Sequence, residues 1–390
     1  MNKNFESLIA LVPAAGESAV GWDKARISGL YPYFQRMGET PQNPEWHGEG
    51  DVFSHTKMVC DYLVKTEVWQ GLERRRQEEV FIAALLHDIG KIVSTRTEDG
   101  VLVSPNHSSI GERMARTILW KDFGLCGTYE AQQFRETVCA LIRNHSVPFH
   151  FYDNESPGYT AIKAAAIGEL TPDFSNELLS LLVEADINGR IASNINERLE
   201  HLYFFREISS EAGCLGKPFE FPSPFSRYAY LSGRNVVPGQ RLYDDTWGTV
   251  VLLSGLPGTG KDTYIKRVYP DLPVVSLDSI RKETGTSPKA PQGGVISAAY
   301  QQARAYLRKK QPFIWNATNL TPALRQRIIG VITDYKASAK IVFLETRWDE
   351  LQKRNNNRAD PVPESVIEDL LAKLVPPNLS EAHEVEWIIS

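Results

Sequence analysis

Apolar residues recur three or four positions apart through most of residues 51–200. The segments VFSHTKMVCDYLV, EEVFIAALLHDIGK, GERMARTILW, EAQQFRETVCALIRNH and NELLSLLVEADINGRI all carry this spacing, which makes one face of a helix apolar. Gly90, Pro105, Pro148 and the stretch NESPGY fall between the runs and interrupt them. The pattern predicts an all-α domain over residues 1–204. From 205 to 245 the helical period is lost, and GKPFEFPSPFSRYAYLSGRNVVPGQRLYDD is rich in Pro, Gly, Tyr and Phe. Its aromatic content predicts an ordered linker, since a floppy one would carry fewer large rings. Beyond 246 short apolar runs (TVVLLS, PVVSL, PFIWN, AKIVFLE, VEWII) alternate with amphipathic ones such as VISAAYQQARAYLRKK. A helix opened by Thr321 and Pro322, an N-cap followed by proline, belongs to the same series. This alternation predicts an α/β domain over 246–390, a parallel sheet covered by helices.

A length of 390 residues agrees with two cores. With 42% hydrophobic and 23% charged residues the composition is that of an ordinary soluble chain. No run approaches the roughly eighteen apolar residues of a membrane span. The N-terminus, MNKNFESLIALVPAAGESA, has one early Lys and an apolar stretch broken by Pro13. A cytoplasmic protein without membrane partners is expected. Cys60, Cys126, Cys139 and Cys214 form no CxxC pair, which predicts reduced thiols in place of a disulfide frame or a cysteine zinc site. A net charge of −5 argues against a general nucleic-acid coating protein. It leaves room for an enzyme that grips one phosphodiester end with a few arginines.

Directly after TVVLLS the chain reads GLPGTGKDT, residues 255–263. This fits GxxxxGK, in which glycines let backbone amides curl around phosphate oxygens and Lys261 supplies charge to the outer phosphates. Gly258, Thr259, Gly260, Lys261, Asp262 and Thr263 are therefore expected at ATP or another nucleoside triphosphate with Mg²⁺. The hydroxyl residue that normally follows the lysine is replaced by Asp262, and either Asp262 or Thr263 can serve the Mg²⁺. Asp278 and Arg281, in VSLDSIRKE, follow the second strand, where open parallel sheets place their ligand crevice. A carboxylate there can accept a hydroxyl proton and an arginine can hold an acceptor phosphate; Asp278 could instead simply cap its helix. Arg354 and Arg358, four apart at a helix end, can fold over a transferring phosphoryl group as a lid.

The series GLPGTGKDT, LDSIR, NATNLTPALR and KRNNNR resembles the 5′-hydroxyl polynucleotide kinases over about residues 249–380. The resemblance implies that Asp278 is the general base, that Arg281 grips the phosphate beside the accepting end, and that Arg354 and Arg358 contact ATP. It also places acceptor contacts around Thr318 and Asn319, although Asn316, Ala317, Thr318 and Asn319 stand where the family often has an acidic residue.

Six of the eight histidines, at 47, 55, 87, 107, 145 and 150, crowd into little over a quarter of the chain. His55 lies within a helical run, His87 and Asp88 end one, His107 opens another, His145 ends a fourth, and Asp186 sits in LLVEADINGR. Polar groups on apolar helices are costly without partners, and imidazoles and carboxylates converging from several helices suit a metal site.

The order H…HD…H…H…D resembles the HD phosphohydrolase superfamily over about residues 45–200. GDVFSHT, LLHDIGK and EADINGR resemble especially the HD domains attached to bacterial tRNA nucleotidyltransferases. The resemblance implies a first ion held by His55, His87, Asp88 and Asp186 and a second by Asp88, His107 and His145. Divalent transition metals such as Mn, Ni, Co, Zn or Fe are the implied ions, with Asp88 central to catalysis. Lys91 could offset charge on a bound phosphate or face solvent, and His150 reads better as a surface residue. Together the two halves resemble bacterial bifunctional end-healing enzymes of the HD-Pnk type. That implies RNA or DNA ends as substrate, removal of 2′,3′-cyclic, 2′- or 3′-phosphates, ATP-dependent phosphorylation of 5′-hydroxyls, and a ligase as functional partner. An HD nucleotidase joined to a small-molecule kinase, and a nucleotide-sensing scaffold with inactive domains, are the alternatives.

Overall fold

In the computed structural model the chain divides into two compact units, Met1–Phe219 and Glu220–Ser390. The structure describes all residues except 1, 2, 15, 153, 288, 289 and 359, and at 3, 4, 26 and 27 the backbone alone. Among the described residues no helix is long and apolar enough to cross a membrane.

The first unit is helical. The Arg74–Leu86 helix is its centre, with every residue from Val80 to Leu86 buried, as expected for a helix apolar on all sides. Around it pack the helices Val52–Leu63 and Tyr129–Asn144. The His107–Thr117 helix lies on the latter, and Asn176–Asn188 lies on Val52–Leu63. Each fully buried Leu, Ile or Phe contributes about 1.5–3 kcal/mol, so the core fixes the helix ends that carry the polar residues. The unit is not purely α. Arg96–Glu98 (β1) pairs antiparallel with Val101–Val103 (β2). The Asp99-Gly100 turn, with positive φ at both residues (49° and 81°), closes this hairpin.

Residues 205–245 are divided in place of forming one linker. The helix Ile195–Glu211 runs on through 204. Pro224–Leu231 is a helix capped by the Ser223 side chain, and its Tyr228 joins the core of the second unit. Ser223-Pro224 is the same start signal as Thr321-Pro322.

The second unit holds five parallel strands in the order β4-β5-β3-β6-β7: Thr249–Ser254 (β3), Val274–Ser276 (β4), Ile314–Asn316 (β5), Ser338–Glu345 (β6) and Glu384–Ile389 (β7). In β3, Val250 and Leu252 enter one core while Val251 and Leu253 enter the other. A strand covered on both faces is apolar along its covered length, and VVLL, residues 250–253, is. The crossovers bring residues 255–260, Asp278, Asn316 and Glu345 together at the carboxyl ends of the strands.

Candidate functional site

In the first unit the ends of five helices converge. Asp51 accepts from the Ser54 backbone N–H at 2.8 Å and starts the Val52–Leu63 helix, setting His55 in its first turn. His87 and Asp88 follow the last residue of the central helix, His107 opens its helix, His145 closes Tyr129–Asn144, and Asp186 lies in the last turn of Asn176–Asn188. Three histidines use one local device: Nδ1 bonds the carbonyl three residues back, at 2.8 Å for His87 and Ala84, 2.9 Å for His107 and Ser104, and 2.7 Å for His145 and Ile142. His55 Nδ1 points to Gly189 O at 3.1 Å and to Glu49 Oε1 at 2.9 Å.

With every Nδ1 proton turned outward, all four Nε2 lone pairs face inward. Asp88 stands between them. Its Oδ2 lies 3.7 Å from His55 Nε2 and 3.3 Å from His87 Nε2. Its Oδ1 lies 3.6 Å from His107 Nε2 and 3.9 Å from His145 Nε2. Asp186 Oδ1 joins the first set, 3.0 Å from His55 Nε2 and 3.9 Å from His87 Nε2. Within each histidine pair the Nε2 atoms are 3.3 Å apart. Acceptors this close repel unless positive charge lies among them. Burial opposes charge on His87, yet Asp88 and Asp186 outweigh it and raise its pKa. His145, fully buried beside His107 and His87, is lowered to about 3 and stays neutral. Neutral imidazoles with carboxylates suit divalent transition metals, and two donor sets sharing one carboxylate fit two ions. His55, His87 and Asp88, with Asp186 beside them, would hold one, and Asp88, His107 and His145 the other.

Two cations complete the cluster. Lys91, expected either at substrate or in solvent, is buried, and its Nζ lies 2.8 Å from Asp88 Oδ2 and 2.6 Å from Gln42 Oε1. The solvent-facing reading therefore fails. Arg190 donates to Asp186 Oδ1 and, through Nε, to the Asp186 carbonyl at 3.0 Å. Burial raises the pKa of both aspartates, but these cations and the histidines hold them well below the usual range. A pocket of about 280 Å³ opens over the cluster, lined also by Trp46, Phe149, His150 and Arg198.

Gln42, Glu49 and Arg190 were not singled out from the sequence. Arg190 stands four residues after Asp186, just beyond the Gly189 cap of that helix, within reach of its last turn. Gln42 and Glu49 lie in a loop without any period.

In the second unit Gly258 and Gly260 take left-handed φ values of 88° and 82°, and Gly260 caps the helix Lys261–Val268. Lys261 Nζ donates to the carbonyls of Gly255 and Leu256, each at 2.9 Å. Burial lowers its pKa to about 8 although Asp262 and Asp278 raise it, and Arg358 lowers it further. Asp262 Oδ1 accepts from Asn316 Nδ2 at 2.7 Å; Asp262 and Thr263 are both exposed. Asp278 does not cap its helix: Ser276 does, accepting from Ser279 N at 3.3 Å. The Asp278 carboxylate is 70% exposed and paired with Arg281, whose Nε also donates to Gln292 at 2.8 Å. Arg354 lies in the last turn of Trp348–Asn356, its Nε 2.8 Å from Glu350, close enough that a Cβ on Gly260 would sit 3.3 Å from its Nη1.

Asn319, expected to touch the acceptor, is turned inward. Its φ is 47°, it is buried, and its amide donates to the Leu253 carbonyl at 2.7 Å. Buried on this bond, it ties the loop after β5 to β3. Thr318 accepts the Gly255 N–H at its carbonyl, 3.0 Å away, with its side chain half-buried.

Residues 52–168 match the HD domain family, and residues 250–377 match the family described as AAA domain. The chain is also similar to a multifunctional CCA protein of Cupriavidus metallidurans, 26% identical over 195 residues. That match covers 49% of this chain and 43% of the relative, so the chain spans less than half the length of that protein. The chain is thus a fusion of a helical HD phosphohydrolase domain with a P-loop, kinase-like domain on a parallel sheet.

Proposed function

We propose that the two domains heal nucleic-acid ends. The HD domain removes 2′,3′-cyclic, 2′- or 3′-phosphates, and the P-loop domain phosphorylates 5′-hydroxyls from ATP, leaving ends fit for a ligase. The observation that carries the first reaction is the Asp88 carboxylate, with one oxygen toward each histidine pair. Two divalent ions bound there would supply Lewis acidity and lower the pKa of an attacking water. The protein's own part is to hold the imidazoles in the tautomer that offers Nε2, through their outward Nδ1 bonds. Lys91 and Arg190 place positive charge beside the two aspartates, where a phosphate dianion needs it. In hydrolysis a water oxygen forms the new P–O bond, the ester P–O bond breaks, and the freed sugar oxygen takes a proton.

In the second domain the 5′-hydroxyl oxygen attacks the γ-phosphorus and the bridging bond to ADP breaks. Asp278 takes the hydroxyl proton and Arg281 holds the adjacent phosphate of the acceptor. Lys261, Arg354 and Arg358 offset charge on the transferring group. Asp262, oriented by Asn316, is our assignment for the Mg²⁺ carboxylate.

The test uses oligonucleotides bearing 5′-hydroxyl, 3′-phosphate and 2′,3′-cyclic phosphate ends, with and without ATP and divalent metals, resolved on gels beside a free nucleoside and a nucleoside monophosphate. End healing predicts metal-dependent loss of the terminal phosphate and ATP-dependent 5′-labelling of oligonucleotides. Labelling of the nucleoside alone, with hydrolysis of the monophosphate alone, would replace this reading by a nucleotide-metabolising one.

A further inference from the structure

The pocket over the HD cluster, about 280 Å³, is larger than a terminal phosphate requires, and part of its lining is a row of rings and guanidinium groups. Starting at Asp186, the order is Arg190, Phe149, Arg198, Trp46. The Arg190 guanidinium lies 5.0 Å from the centre of the Phe149 ring. Arg198 lies 5.8 Å from the same ring and 5.7 Å from Trp46. Its Nη1 donates to the Phe149 carbonyl at 3.2 Å.

Arg198 is unlike Arg190 in one respect. Arg190 is paired with Asp186, whereas among the described residues no carboxylate lies within ion-pair distance of Arg198. It also stands in the first turn of the Ile195–Glu211 helix, where the helix dipole disfavours a cation and favours an anion. A guanidinium fixed between two rings, without a counter-ion and at an unfavourable end of a helix, is prepared for an anionic ligand. Trp46 beside it, also lining the pocket, is 37% exposed, a large apolar face left in water. Phosphate oxygens against Arg198 and a flat π-system against Trp46 are what a nucleotide unit supplies.

We infer that this row is a second subsite of the HD centre, which binds the nucleotide next to the one that carries the reacting phosphate: Arg198 takes its phosphodiester and Trp46 stacks on a base. This rests on the phosphoesterase reading above and deepens it, because a site with such a wall prefers a strand end to a mononucleotide.

The test compares a nucleoside 2′,3′-cyclic phosphate with a dinucleotide ending in the same group, and with that dinucleotide carrying a neutral methylphosphonate linkage. The protein is Mn²⁺-loaded wild type, Arg198→Gln, Arg198→Lys and Trp46→Leu, each checked for an unchanged melting curve. For wild type the inference predicts a KM for the charged dinucleotide about ten- to a hundredfold below that of the mononucleotide, the range of one charged hydrogen bond. The methylphosphonate should lose most of that advantage. Arg198→Gln should bring the ratio towards one, Arg198→Lys should restore part of it, and Trp46→Leu should weaken both dinucleotides alike. A wild-type ratio near one, or a ratio kept in Arg198→Gln, overturns the subsite and leaves the phosphoesterase standing. Hydrolysis of none of the three substrates by wild type removes the phosphoesterase reading itself, and the subsite with it.

Discussion

The HD cluster works through which nitrogen of each histidine is free, and that is decided by the partner of the other nitrogen. For His55 the partner includes Glu49, buried beside it and also bonded to His47 Nδ1 at 2.9 Å and to the Ile191 N–H at 2.9 Å. Burial opposes charge on Glu49, but these bonds hold its carboxyl well below the usual range, so it remains an acceptor. Glu49→Ala should therefore weaken metal binding at the first set by about ten- to a hundredfold, as loss of an outer partner does elsewhere, with the second set less affected; calorimetric Mn²⁺ titration reads both. An unchanged isotherm would reduce Glu49 to a loop residue. In the other domain, Asp262 predicts a reversal. A carboxylate next to the phosphate cradle repels free ATP and attracts it once Mg²⁺ lies between them. Asp262→Ala should bind ATP more tightly than wild type without Mg²⁺ and lose the gain that Mg²⁺ brings, while Thr263→Ala should do neither. The reverse pattern would assign the ion to Thr263.

At the scale of elements, close approach of backbones brings the ligands together. A Cβ on Gly189 would lie 2.5 Å from Val59 Cα and 2.6 Å from Val59 N. One on Gly90 would meet the His107 carbonyl at 2.1 Å. The helix bearing Asp186 can thus touch the helix bearing His55, and the turn after Asp88 can touch the start of the His107 helix. Gly189→Ala should cost the first unit about 1–3 kcal/mol or more by overpacking and weaken metal binding too, read by denaturant unfolding and metal titration; wild-type stability would contradict this packing. In the second unit His383 Nδ1 accepts the Ala339 N–H at 3.1 Å beneath Tyr228. Burial lowers its pKa to about 4, with Arg234 and Arg227 adding to the shift and Asp244 opposing it. Between pH 6.5 and 4 the unfolded chain thus binds this proton and the folded one resists it, so the imidazole's contribution is present above pH 6.5 and lost as pH falls. The unfolding midpoint of the second unit should drop across that window in wild type and less in His383→Gln. Equal pH slopes would show the lone pair is not needed.

The elements were also where the sequence was most and least legible. The three-to-four spacing located five of the six long helices described in the first unit, because each of the five buries a wide apolar face; the sixth and longest, Ile195–Glu211, was cut at 204, and only Leu202, Phe205 and Ser209 of it are buried. The β1–β2 hairpin escaped, since three-residue strands are too short for alternation to stand out, although Asp99-Gly100 was there to be read. The clustered histidines and aspartates stood out by being polar on apolar runs. Asn319 misled, because a polar residue after a strand reads as a ligand contact, and only its left-handed backbone turns the amide inward.

For the whole molecule the central claim is that two separate catalytic centres on one chain act on the two kinds of end of a broken strand. One centre depends on Asp88, which faces both histidine pairs, and the other on Asp278, at the carboxyl end of β4. Neither residue belongs to the other's unit. The most direct test is a single RNA oligonucleotide with a 5′-hydroxyl and a 2′,3′-cyclic phosphate, incubated with ATP, Mg²⁺ and Mn²⁺ and with wild type, Asp88→Ala or Asp278→Ala. Wild type should alter both ends, Asp88→Ala should phosphorylate the 5′ end while leaving the cyclic phosphate intact, and Asp278→Ala should do the converse. Opening of the cyclic phosphate by Asp88→Ala at a comparable rate, or loss of both reactions in either variant while it remains folded, would contradict the account.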